Sequence, residues 1–269
     1  MTKEKNFSNK HLEFIKKENN IKLFVTIMRI SILTLFLSVW ELSARLGLID
    51  AFISSSPSRI IKTLGSLFTE DNLLYHIGIT LYETILGFLI AVLLGYLTAL
   101  TLWWSEKLRR ILEPYIVVLN SLPKIALGPI IIVWCGSGSK AIIFMAVLIG
   151  IIVAIITMLN GFLATDNNKI LLLKAMGANK LQILTKLVIP GSLPTFISML
   201  KISVGMAWVG SIMGEYLVSR AGLGYLIVYG GQVFKLDLVM SATVILCLLA
   251  ALMYLMVALL EKLLIKHKY

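Results

Sequence analysis

The chain has 269 residues, of which 58% are hydrophobic and 14% charged, with a net charge of +11 and a mean hydropathy of +0.91. A water-soluble fold of this size has no interior large enough to hide so much apolar surface, so the composition excludes a soluble globular domain and makes the bilayer the solvent. The positive charge is not a nucleic-acid footprint either, because it is spread over four segments with no aromatic platform among them.

Residues 1–22 hold Lys3, Lys5, Lys10, Lys16, Lys17 and Lys22. They contain neither an apolar core nor a small-residue cleavage site, which predicts a cytoplasmic N-terminal segment without a removable signal peptide. A membrane-crossing helix needs about 20 apolar residues, and six stretches qualify. The first covers 23–46, with Arg29 near its start and Glu41 and Arg45 near its end. The second, 77–104, is long enough to tilt and carries Glu83 near one end. The third, 112–134, contains Pro114, Pro123 and Pro129. Prolines free backbone groups at membrane depth and Lys124 adds a charge, so residues 121–129 face a pathway or a partner, or form a kink for packing.

The fourth span is 141–163, the fifth 194–217 and the sixth 238–265, leaving a tail of 266–269. The transmembrane domain therefore covers 23–265. In the fifth span Ser203, Gly205, Gly210, Ser211 and Gly214 are small residues that allow close helix approach. Met206 and Trp208 between them are either core or pathway-lining. Glu215 pairs with Arg220, bonds the loop backbone, or meets solute, with structural pairing the favoured reading. Lys201 is expected to snorkel towards the cytoplasm rather than reach Glu83. Residues 222–227 are apolar and glycine-rich but too short to cross, which predicts a re-entrant or surface helix.

Six spans place both termini on one side. Lys107, Arg109 and Arg110, then Lys169, Lys174, Lys180 and Lys186, then Lys262, Lys266 and Lys268 share that side with the N-terminal lysines. The excess over Arg45, Arg59, Lys62, Lys140, Arg220 and Lys235 assigns it to the cytoplasm. Cys135 and Cys247 are far apart and give no disulfide or metal spacing, and His11, His76 and His267 are isolated. There is no Walker A loop, HExxH or GxSxG, so the chain reads as a non-enzyme, and any nucleotide energy comes from another subunit.

The cytoplasmic loop at about 166–193 is a polar island between apolar spans. Asp166 or Asn167 can cap a short apolar helix ended by Gly177. Asn179 can open a second, with Leu181, Leu184 and Val188 at i, i+3 and i+7. Pro190 is expected to end it, and Pro194 suits the first turn of the fifth span. By periodicity alone the loop is equally a docking knob or a positive topology signal.

Gly177, nine residues, then Leu187-Val188-Ile189-Pro190 resembles the later part of the EAA loop of ABC importer permeases, with Ala178 after the glycine. The triplet positions are here Leu171, Leu172 and Leu173, which implies a more apolar contact. Trp40-Glu41-Leu42, Pro57-Ser58, Thr80, Gly87, Ser121-Leu122-Pro123, Pro129, Trp134, Trp208, Glu215, residues 222–227 and Asp237 resemble the nitrate, taurine, sulfonate and thiamine-precursor branch.

This resemblance implies an all-α type I importer permease fold with six transmembrane helices and cytoplasmic coupling helices, in a bacterial cytoplasmic membrane. No cofactor is implied on this chain. ATP and Mg would reside on two ATP-binding subunits, a second permease copy would complete the pathway, and an external solute-binding protein would deliver a small polar or anionic solute. The ATPase-docking residues implied are Ala175, Met176, Gly177, Ala178, Asn179, Lys180, Leu181, Leu184 and Pro190. Pathway or gate candidates are Ser121, Pro123, Met206, Trp208, Gly210 and Glu215. An ion-coupled secondary transporter is the alternative; it calls for inverted repeats and paired ionisable groups at the midplane, which the sequence does not display.

Overall fold

A computed structural model describes residues 9–69 and 72–265, and among these no strand forms. Lys3, Lys5, Lys266, Lys268, His267 and the tail 266–269 lie outside the described residues. The chain divides into two compact units, Met1–Leu64 and Gly65–Tyr269.

In the first unit, α1 (Asn9–Arg45) contains the first span and is followed by α2 (Ala51–Ser54) and the start of α3 (Pro57–Thr69). Glu41 closes this turn of chain. One carboxylate oxygen accepts from the Ser58 amide at 3.0 Å, and the other accepts from the Ser58 hydroxyl at 2.9 Å and from Arg45 at 2.7 Å. An acid placed against the first amides of a helix satisfies a donor that has no partner within the helix. The Trp40-Glu41-Leu42 and Pro57-Ser58 signatures thus meet in space.

The second unit is built on α4 (Leu73–Trp104), α7 (Ser139–Leu163) and α11 (Leu193–Val218), with α7 packed between the other two. Lipid is as apolar as leucine, so helices associate there by close backbone approach more than by escape from solvent. The sequence supplies that approach: Gly87, Ala91, Gly95 and Ala99 recur every four residues along α4 and are buried. A Cβ at Gly87 would lie 2.6 Å from that of Ala146, and one at Gly95 would lie 2.5 Å from that of Ala154. Further along, α12 (Leu223–Gln232) and α13 (Leu236–Ile265) pack against each other and against α11. The apolar segment after Gly222 is a short helix, too short to cross the bilayer.

Among the described residues five helices are long and apolar enough to span; four of them closely match expected spans, and the first begins earlier than expected, at Lys16 rather than 23. The third expected span, 112–134, is broken as its prolines predict: two helices, α5 (Glu106–Ser121) and α6 (Gly128–Cys135), are joined by a 3-10 turn at Lys124–Leu127 and bent by 86°. Pro123 imposes the break: Leu122, forced out of helical geometry by the ring that follows it, is extended at φ −65°, ψ 136°. Pro114 sits inside α5 without ending it, and Pro129 occupies the first turn of α6, where no amide is required.

Candidate functional site

The loop between α7 and α11 is folded throughout. α8 (Asn167–Ala175) starts at Asp166, whose side chain accepts from the Asn168 amide at 2.8 Å. Its end is closed by the Gly177 and Ala178 amides, each 2.9 Å from the carbonyls of Lys174 and Leu173, a closure that needs the left-handed backbone of Gly177, φ +83°. α9 (Lys180–Ile183) opens on a reciprocal cap: Asn179 Oδ1 accepts from the Gln182 amide and Gln182 Oε1 accepts from the Asn179 amide, both at 2.8 Å.

Pro190 does not end this helix, contrary to expectation. Residues Leu184–Val188 shift to π-helical bonding and α10 (Ile189–Gly191) follows, with Pro190 in its first turn, where a missing amide breaks no bond. Only Ser192 separates α10 from α11. The side chains sort onto two faces. Ile183, Leu184 and Val188 are buried with Ala99, Leu102, Met158 and Phe162, and Ala178, Leu173 and Ile170 pack against the same cluster. On the other face Leu171, Leu172, Met176 and Leu181 are 61, 61, 74 and 57% exposed. Leu181 therefore leaves the expected stripe, and Ile183 takes the inner position.

Lys180 is exposed, and its side chain reaches back over the end of α4. Its ammonium lies 5.8 and 5.1 Å from the ring centroids of Trp103 and Trp104 and donates to the Trp104 carbonyl. A cation at the carbonyl end of α4, resting on two indoles, joins the loop to that helix. Of the expected docking residues, Ala175, Met176, Gly177, Asn179 and Leu181 are on the exposed side, whereas Leu184 is buried and Ala178 and Pro190 are half-buried. Leu171 and Leu172 were legible only as a departure from the triplet, and their exposure adds them to this face.

Deeper in the bundle, Lys201 does not snorkel freely: its ammonium pairs with Glu261 of α13 at 2.6 Å and lies 5.9 Å from the Tyr254 ring. The two half-buried side chains pair where α11 and α13 lie side by side. Trp208 is buried with Phe88, Val204, Met253 and Val257. Gly210 meets the Ala146 backbone, and Gly214 would place a Cβ 2.9 Å from Ile142 Cα. Met206 is half-buried, and Ser121 and Pro123 are exposed at the bend. Trp208, Gly210 and Glu215 are all buried, Trp208 against α4 and α13 and Gly210 against α7, whereas Ser121 and Pro123 are exposed.

At the opposite end of the bundle from the loop, polar groups gather beneath Gly222. Glu215 Oε2 accepts from the Gly224 amide at 2.5 Å, Thr80 accepts from the Leu223 amide at 2.8 Å, and His76 Nδ1 accepts from the Gly222 amide at 2.9 Å. Three consecutive amides at the start of α12 are thereby satisfied by side chains of α4 and α11. Thr80 also hydrogen-bonds Glu215, Glu83 hydrogen-bonds Ser139 and Glu215, and Thr84 and Ser211 share a bond of 2.6 Å. Glu215 therefore engages the loop backbone rather than relying on Arg220. Its contact with Glu83 was not anticipated, although both acids lie near the same end of their spans.

Residues 91–266 match the family described as binding-protein-dependent transport system inner membrane component. The chain is 32% identical over 83% of its length, and 90% of the relative's, to a "Probable ABC transporter permease protein" of Haemophilus influenzae. It is 31% identical over 70% of its length, and 74% of the relative's, to the formylaminopyrimidine transport permease protein ThiX of Halalkalibacterium halodurans. Among solved structures it is similar to a chain of the MetNI methionine ABC transporter in an inward facing conformation, with a TM-score of 0.64, 21% identity, and coverage of 71% of this chain and 95% of that one.

Proposed function

The chain belongs to the binding-protein-dependent transport system inner membrane component family, the membrane permease subunits of ABC importers, and from that premise we propose that its loop at 166–193 receives an ATP-binding subunit. The subunit is itself non-enzymatic and multi-pass. On this reading two ATPases, carrying ATP and Mg, serve two copies of the permease, with both termini and the loop in the cytoplasm. The orientation is supported by the distribution of lysine and arginine.

The observation that carries the reading is the two-faced loop. Ile183, Leu184 and Val188 fix it to the bundle, while Leu171, Leu172, Met176 and Leu181 present apolar surface outward. A small exposed apolar patch on a rigid, capped element fits a protein contact better than a bare topology signal. ATP binding would draw the two ATPases together, the loops would follow, and the helices would rearrange so that the cavity faces alternate sides.

An external binding protein would deliver the solute, a small polar or anionic molecule of the sulfonate, taurine, nitrate or pyrimidine thiamine-precursor class. That range is supported by the branch resemblance and by the relative named for formylaminopyrimidine transport. The ATP-driven reading is tested by ATP hydrolysis of the purified complex: hydrolysis should rise when the loaded binding protein is added, and absence of stimulation refutes it. Leu171→Glu with Leu172→Glu should abolish co-purification of the ATPase, and full retention would remove the docking assignment. Ligand screening of the cognate binding protein decides the solute class.

A further inference from the structure

The end of the bundle remote from the loop buries two acids side by side. Glu83 and Glu215 are each 1% exposed. The charged group that each carboxyl meets among the described residues is the other. One oxygen of each, Glu83 Oε2 and Glu215 Oε1, has no hydrogen-bond donor. Two ionised carboxylates in contact repel strongly where water is scarce. Moreover, an ionised carboxyl only accepts, so a hydrogen bond between two carboxyls exists only when one of them carries the hydrogen. A single proton both removes the repulsion and supplies the missing donor.

The surroundings hold this proton in a mechanical position. α4 contributes His76, Thr80 and Thr84, α7 contributes Ser139, α11 contributes Ser211 and Tyr216, and α12 contributes Tyr225, stacked on His76 at 6.1 Å. Of these neighbours only His76 titrates near neutrality, and its Nδ1 is an acceptor here and therefore unprotonated. The turn pressed on the pair admits no side chain. At Gly222, whose φ is +111°, a Cβ would lie 2.5 Å from Glu215 Oε2, and at Gly224 it would lie 2.7 Å from the same atom.

We propose that Glu83 and Glu215 bind one shared proton, and that this proton latches the Gly222–Gly224 turn onto the end of the bundle. When the proton passes to solvent, two charges occupy the pocket, the carboxylates separate, and the turn held on Glu215 through the Gly224 amide is carried out of its seat with it. That the latch closes the outer mouth of the pathway rests on the orientation proposed above. The shared proton does not.

The test uses the full chain in complex with its ATPase in lipid nanodiscs. Difference infrared spectra of the wild-type protein should contain a buried protonated-carboxyl C=O band that shifts in deuterated water and disappears as pH is raised. The band should be absent in both Glu83→Gln and Glu215→Gln. A wild-type protein without such a band overturns the proposal, and this arm needs no variant to fold.

Latching is read separately with Ala221→Cys in a background of Cys135→Ser and Cys247→Ser. Labelling by an impermeant thiol reagent, corrected for thiolate fraction, should rise about tenfold between about pH 7 and about pH 10 and stay flat when Glu83→Gln is added. The alkaline range keeps His76 neutral throughout. The same rise with and without Glu83→Gln would overturn the latch. Neither arm measures ATP hydrolysis, so failure here is distinguishable from failure of the docking assignment.

Discussion

Replacing Gly210 by alanine adds one methyl group to α11 at the point where it crosses α7. The new Cβ would fall against Ala146 Cα, with the Ala146 amide nitrogen at 3.0 Å and the Met145 carbonyl oxygen at 3.2 Å. All three neighbours are backbone, so no rotamer change relieves the overlap and the two helices must part. Gly205, one and a half turns away on the same helix, has nothing within 4 Å of the corresponding position. Gly→Ala at either site gains the same helix-propensity term, on the order of 1 kcal/mol, so that term cancels in the comparison. What remains is the overpacking cost at Gly210, about 1–3 kcal/mol.

The assay is the unfolding equilibrium of the two variants in the same bicelles, by steric trapping or denaturant titration. A difference of about 2 kcal/mol corresponds to about a thirtyfold change in the folded-to-unfolded ratio. Equal stability of Gly210→Ala and Gly205→Ala would refute the assignment of Gly210 to a close helix crossing. It would also reopen a pathway-lining role for this residue.

Three further outcomes are expected. Gly177→Val, at a φ that costs a β-branched residue about 1–2 kcal/mol, should weaken ATPase co-purification, while Gly177→Asn, which tolerates that backbone, should preserve it; equal effects would deny a role for the turn geometry. Lys180→Met keeps an apolar stem over Trp103 and Trp104 but loses the charge, and should speed amide exchange at residues 179–188 about two- to fivefold, whereas unchanged exchange would show that the ammonium holds nothing. Lys201→Glu and Glu261→Lys should each reduce thermal stability and together restore most of it; a double variant no better than either single one would show that the pair does not act as a pair.

The spans were legible because apolar length is a one-dimensional property, and the prolines of 112–134 announced a break without giving its angle. Caps were legible for the same reason: Asp166, Gly177 and Asn179 lie within a few residues of the groups they satisfy. Pro190 misled because a proline ends a helix only where its amide would have been used, and the π-helical turn before it moves that requirement elsewhere. Contacts across the bundle were not legible. Lys201 with Glu261 and Glu83 with Glu215 are separated by 60 and 132 residues, and depth in the membrane alone does not state which faces of two helices meet. The contact of Lys180 with the Trp104 carbonyl was likewise not legible, because it depends on where Trp103 and Trp104 end α4.

Helical geometry runs from Lys180 to Gly191 and, after Ser192 alone, continues as α11 to Val218. The connection has no slack. A flexible tether would dissipate a tug at Asn179 in its own bending, but this stretch acts as a cranked shaft whose single soft joint is the π-helical turn at Leu184–Val188. On the proposed docking, a displacement at the capped elbow would pass along this stretch towards the far end of α11, where the carboxyl of Glu215 accepts from the Gly224 amide.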